Sequence, residues 1–255
     1  MHAANEIYRD GSTEFEGYLA FDGAKDKRRP GVLVFHQWSG CSAFEQEKAE
    51  WLAEHGYAAL AVDMYGRGKR GTNPTENGAL MTPLVNDRAE LRKRAEAALR
   101  HLKSLPMVDG DRIGAIGFCF GGLCVLDVAR AAMPGVRGVV SLHGLLGAPD
   151  AAKLPSPAQI TARVLALHGW NDPMVRPESV NAFAREMHDH GADWQLHAFG
   201  GCGHAFTNPG AQDPKGGMQY NPLADARSFA MVKDFLAEVF GPAWATKVTN
   251  CPWPS

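Results

Sequence analysis

Along the chain, short apolar runs alternate with longer stretches whose apolar positions recur at helical spacing. PGVLVFH (30–36) is rich in β-branched residues and predicts a buried strand. SAFEQEKAEWLAEHG (42–56) predicts a helix closed by Gly56. YAALAVDMY (57–65) predicts the next strand, and GRGKRGTNPTENG (66–78) a polar, glycine-rich loop. Residues 82–106 predict one long helix with leucines and alanines on one side. Its Arg88, Arg92, Lys93, Arg94 and Arg100 read as a solvated face. Further strands are predicted at 112–118, 136–144, 162–169 and 193–200, with helices at about 120–132, 177–190 and 222–240. Regular alternation without repeats predicts an α/β protein, with a mostly parallel sheet covered by helices on both faces. It also predicts a single domain over residues 1–255.

Composition adds little to the fold but narrows the function. The 255 residues are 45% hydrophobic and 21% charged, with a formal net charge of −2. Nothing in that balance suggests a nucleic-acid surface or a polybasic membrane patch. The first residues show no signal-peptide core, and no apolar run approaches a membrane span. The expectation is a soluble cytoplasmic protein. Five cysteines, Cys41, Cys119, Cys124, Cys202 and Cys251, are odd in number and widely scattered. A disulfide framework or a structural zinc site is not expected.

In a parallel sheet, sites lie beyond the carboxyl ends of the strands. Four predicted strand ends carry chemistry-capable residues. They are His36-Gln37-Trp38-Ser39-Gly40, Gly117-Phe118-Cys119-Phe120-Gly121, Gly169-Trp170-Asn171-Asp172-Pro173 and Gly201-Cys202-Gly203-His204-Ala205-Phe206. Gly-x-Cys-x-Gly fits a nucleophile elbow, a sharp strand-to-helix turn that lifts its central side chain over the sheet edge. The adjoining helix N-terminus favours a thiolate and offers N–H groups to an oxyanion. Such a nucleophile needs a base and an orienting acid, in the chain order nucleophile, acid, histidine. Cys119, Asp172 and His204 follow that order. Asn-Asp-Pro is also good turn chemistry. His36, His143 and His168 read as structural hydrogen-bonding histidines, Cys124 as a core residue and Cys202 as a loop residue. Trp38, Phe120, Trp170 and Phe206 suggest a modest apolar pocket for a small acyl group.

At these motifs the chain resembles the dienelactone hydrolase family of the α/β-hydrolase fold. The resemblance runs through RPGVLVFHQWSG, GYAALAVDMYGRG, AIGFCFGG, LALHGWNDP and GCGHAFTNP. It implies hydrolysis of a small lactone or ester through a cysteinyl acyl-enzyme, with no cofactor and no metal. Cys119 would be the nucleophile, His204 the base and Asp172 the orienting acid. The backbone N–H groups of Phe120 and Trp38 would form the oxyanion hole. Two positions depart from the pattern. The glutamate that helps activate the cysteine in well-known members is Gln37 here, and the arginine that binds the substrate carboxylate is Asn208. Arg67 or Lys69 could supply the missing cation, and Gln37 could hold the thiol by a hydrogen bond. Two alternatives belong to other classes. One is a non-catalytic binding or sensing protein on a hydrolase scaffold. The other is a thiol-redox protein using Cys119 with Cys202.

Overall fold

Strands form where apolar residues fill both faces of the chain, and the central strands show this directly. In β3 (Arg29–Phe35), Val32 and Val34 face one layer of the core while Leu33 and Phe35 face the other. The same alternation runs through β4 (Ala58–Val62) and β7 (Arg163–Gly169). The computed structural model describes residues 1–150, 152–154 and 159–241; Cys251 and the rest of the NCPWPS tail lie outside the described residues.

With β1 (His2–Asp10), β2 (Thr13–Phe21), β5 (Val108–Phe118), β6 (Val136–Leu142) and β8 (Trp194–Phe199), these strands form one eight-stranded sheet. Its order is β1-β2-β4-β3-β5-β6-β7-β8. β3 to β8 run parallel, while β1 and β2 are antiparallel to their neighbours. Helices α1 (Ala43–Glu54) and α6 (Pro222–Phe240) cover one face. Helices α3 (Arg88–Ser104), α4 (Phe120–Arg130) and α5 (Pro177–Asp189) cover the other. This is the expected α/β-hydrolase architecture, with the two-strand antiparallel edge as an addition. No helix of the described residues is long and apolar enough to cross a membrane.

The expected long helix at 82–106 is two helices. α2 (Pro74–Asn86) begins inside the segment read as loop, because Asn73 caps it by accepting from Glu76 N–H at 3.0 Å and Pro74 suits a first turn. At Asp87 the chain turns. Its N–H closes α2 on Pro83 O, while its carboxylate accepts from Glu90 N–H at 3.0 Å and opens α3. The arginine face also differs from expectation. Lys93, Arg94 and Arg100 do reach partly or fully exposed partners, Asp10 and Glu90. Arg88 and Arg92 instead pack against α4, around the fully buried Asp127.

Candidate active site

Cys119 sits between β5 and α4 with φ 55° and ψ −113°, a left-handed conformation unusual for a residue with a side chain. The flanking glycines have steric causes. A Cβ on Gly117 would meet Gly121 O at 2.1 Å, and one on Gly121 would meet Phe35 O at 2.2 Å. Strand and helix therefore cross at backbone contact, and between the buried Phe118 and Phe120 only the Cys119 side chain is not fully buried. That side chain is half-buried, whereas the thiols of Cys41, Cys124 and Cys202 are buried. Burial pushes Cys41 up to about 12 and raises Cys124 and Cys202 as well, so all three are held as inert thiols. The expectations of a core Cys124 and a Cys202 tucked into its loop agree with this.

Asp172 and His204 rise from the ends of β7 and β8. His204 Nδ1 meets Asp172 Oδ2 at 2.7 Å, with both side chains withdrawn from solvent. The other Asp172 oxygen accepts from Met174 N–H at 2.8 Å, so the residue is both turn-former and histidine partner. The backbone of His204 is held by a small two-stranded sheet, β9 (Gln212–Asp213) and β10 (Met218–Gln219). His204 N–H donates to Gly217 O at 2.7 Å, and Gln219 N–H donates back to His204 O at 3.2 Å. His204 Nε2 is buried with no hydrogen-bond partner among the described residues. Burial by itself lowers the imidazole pKa. The negative charge of a Cys119 thiolate and the bond to Asp172 outweigh burial and push it up to about 10.

The loop after β3 is tied down on all sides. Fully buried Glu45 accepts from Gln37 N–H at 3.2 Å and from Ser42 N–H at 2.9 Å. Tyr65 OH donates to Trp38 O at 2.9 Å, and Gly71 N–H donates to Ser39 O at 2.9 Å. His36 accepts from Met64 N–H through Nε2 at 3.1 Å, so its Nδ1–H donates to Gln37 O at 2.5 Å. Every one of these bonds leaves the Trp38 N–H without an acceptor, and the Phe120 N–H, in the first turn of α4, likewise has none among the described residues. Both N–H groups expected to form an oxyanion hole are thus without an acceptor among the described residues.

His143 is hydrogen-bonded as expected, and it lies against both Cys119 and His204. It follows β6 with φ 41° and is fully buried. Its Nδ1 accepts from Cys119 N–H at 3.2 Å, which fixes the other nitrogen as the donor to Thr207 Oγ1 at 2.8 Å. Its ring stands edge-on to His204, with centroids 5.4 Å apart. Burial holds its pKa well below the ordinary value, so it is neutral. It touches both the Cys119 backbone and the His204 ring, and only its position after a strand could have marked it. His168, also expected to be hydrogen-bonded, has no partner on either ring nitrogen among the described residues.

Other expectations need correction. Phe206 is fully buried and packs on Phe199 and His143 at 5.2 Å each, so it backs His143 rather than lining a substrate surface. Phe120 likewise turns inward, against His36 and Tyr65. Trp170 is half-exposed beside the Asp172 turn, leaving it and Trp38 as the accessible aromatics of the expected pocket. Arg67 does not reach the site. Its guanidinium meets Glu14 at 3.1 Å and its N–H meets Glu14 O at 2.9 Å, on the outer strand β2. Gln37 and Asn208 are brought together, with Asn208 Nδ2 donating to Gln37 Oε1 at 3.1 Å.

The sequence model of the dienelactone hydrolase family matches residues 15–240. A protein of Bradyrhizobium sp. described as "Probable 2-oxo-3-(5-oxofuran-2-ylidene)propanoate lactonase" is 31% identical over 70% of this chain and 74% of its own length. The mouse carboxymethylenebutenolidase homolog is 25% identical over 65% of each chain. Among solved structures, a dienelactone hydrolase-like promiscuous phosphotriesterase from metagenomic libraries superposes with a TM-score of 0.88. It is 36% identical, and the match covers 94% of this chain and 99% of that one.

Proposed function

Because the chain belongs to the dienelactone hydrolase family of lactone and ester hydrolases, we propose that it cleaves a small lactone or carboxylic ester through a Cys119 thioester, with His204 and Asp172 completing a triad. The observation that carries this reading is the union of a strained, projecting Cys119 with the buried His204–Asp172 pair at neighbouring strand ends.

The steps follow from the atoms. His204 Nε2 takes the Sγ proton, and Sγ attacks the carbonyl carbon to form a C–S bond. The carbonyl electrons move to oxygen, where the N–H groups of Trp38 and Phe120 receive the charge. Collapse breaks the C–O bond, and the leaving oxygen takes the proton from His204. Water then attacks the thioester with His204 as base, the C–S bond breaks, and the acid is released. With a lactone the leaving oxygen stays tethered to the product. Asp172 accepts from Nδ1–H throughout, which orients the ring and stabilises its cationic form. No cofactor or metal enters these steps. The protein acts as one hydrolase domain on a small molecule, in a cytoplasmic setting.

The test is mass spectrometry of the protein mixed with activated esters, lactones including a dienelactone, and a neutral phosphotriester, beside Cys119→Ala. The phosphotriester is included because of the activity printed for the structural relative. A transient adduct on Cys119 with product release, absent in the variant, is expected. Turnover that survives in Cys119→Ala would refute the mechanism. Tight binding of these compounds with no adduct would favour the binding-protein alternative.

A further inference from the structure

The two loops flanking the triad are joined by one side-chain hydrogen bond, and its direction is fixed by a third group. Gly210 N–H can only donate, and it donates to Asn208 Oδ1 at 2.8 Å. The Asn208 oxygen is therefore engaged there, and its NH2 group faces Gln37. Gln37 must answer with its oxygen, Oε1, at 3.1 Å. Its own NH2 group then remains over, with no acceptor among the described residues. Gln37 is only 8% exposed, and its NH2 group keeps part of that exposure. These two donors sit one residue before the Trp38 N–H assigned to the oxyanion.

The surroundings argue about charge. The Glu45 carboxylate is fully buried and bonded to Gln37 N–H, and its other hydrogen-bond partners, the N–H and hydroxyl of Ser42, are neutral. Of the basic side chains of the adjacent loop, Arg67 pairs with Glu14, and Arg70 donates through Nε to Cys41 O.

Resting on the hydrolase reading above, we infer that Gln37 and Asn208 form an amide relay that presents an uncharged, donor-only face beside the scissile bond. The acyl group selected by this relay is neutral and carries a hydrogen-bond acceptor, such as an ether or carbonyl oxygen, near the reacting carbonyl. A methylene there takes water from these donors without replacing its hydrogen bond, and a carboxylate enters beside the buried Glu45 carboxylate. Gln37 and Asn208 are then specificity determinants.

The experiment compares phenyl esters of three acids of similar length: methoxyacetate with an ether oxygen, butanoate with a methylene in its place, and succinate with a free carboxylate. Each kcat/KM is divided by the ester's alkaline hydrolysis rate, which removes intrinsic reactivity. The expected order is methoxyacetate over butanoate by at least about tenfold, with succinate lowest. Gln37→Leu should bring the methoxyacetate-to-butanoate ratio near one. Asn208→Asp should push it below one. Its carboxylate only accepts, so it turns Gln37 round to present an oxygen. Both esters in that ratio are neutral, so the added charge does not enter it. An unchanged ratio in both variants, or a ratio near one in the parent protein, would overturn the relay. If no ester acylates Cys119, the hydrolase reading fails and this inference with it.

Discussion

Two regions of the molecule use polar groups in opposite ways. At the ends of β5, β7 and β8, Cys119, Asp172 and His204 are placed by backbone: a steric turn, an Asx bond and a two-stranded brace. In the helix layer of α3, α4 and α5, a buried ion cluster is placed mainly by side chains, with the Leu146 and Gly147 carbonyls also accepting from its arginines. Arg88 grips Asp127 with two bonds of 2.6 Å, and Arg130 joins Asp127 at 3.4 Å and Glu186 at 2.7 Å. Asp127 and Arg130 are fully buried, and Arg92 lies beside them, its Nε 3.9 Å from Asp127 Oδ2 and two of its nitrogens without a hydrogen-bond partner among the described residues. The first region keeps Nε2 of His204 open for a proton; the second closes charge on charge between α3, α4 and α5. Polar burial serves chemistry in one place and helix docking in the other.

That contrast can be broken by mutation, and the largest effect belongs to the triad. Asp172→Asn keeps an oxygen for Met174 N–H but puts an amide against His204 Nδ1. We expect kcat to fall by about 10³–10⁴-fold with the melting temperature little changed, checked by steady-state kinetics beside calorimetry. Asp127→Ala should do the reverse. Three arginines lose their shared carboxylate, and stability should fall by about 3–5 kcal/mol in urea titrations. The kcat per folded molecule should hold, and a kcat that drops with Asp127 would show that the regions are coupled. Gly121→Ala tests the join between them. Its Cβ would press on Phe35 O, so about 1–3 kcal/mol of stability should be lost together with a drop in kcat, as the first turn of α4 shifts away from Trp38. The smallest effect is expected at the rim: Arg67→Ala removes an exposed pair with Glu14 and should change kcat/KM for the substrate panel less than about twofold.

The same contrast explains what could be read from sequence. Gly117-x-Cys119-x-Gly121, Asn171-Asp172-Pro173 and Gly203-His204 are local motifs whose meaning comes from their place after a strand, and parallel strands announce themselves by apolar runs. The cluster at Asp127 is not local. Arg88 and Arg92 look like any charged helix face until α4 brings a carboxylate beside them. The outer strands β1 and β2 escaped for a related reason. β1 buries one side chain, Tyr8, and gives only a weak apolar alternation. The break at Asp87 was legible in principle, since Asn73-Pro74 and Asp87-x-x-Glu90 are both capping patterns, but the leucine spacing ran across it. His143 and the Gln37–Asn208 bond depend on loops meeting across the sheet end, over 171 residues in the second case. No spacing rule anticipates such meetings.

The account stands on Cys119 and His204 acting as one unit, and the titration of His204 reads that coupling. Nitrogen NMR would follow its imidazole through pH in the parent protein and in Cys119→Ala. Burial lowers this pKa, while the thiolate and Asp172 raise it to about 10. Removing the thiolate leaves Asp172 alone against burial, so the midpoint should fall in the variant. The ring should then lose its proton at a pH where the parent still holds it. The same midpoint in both proteins would mean that the charge of Cys119 does not reach His204, and the triad would not be the unit proposed.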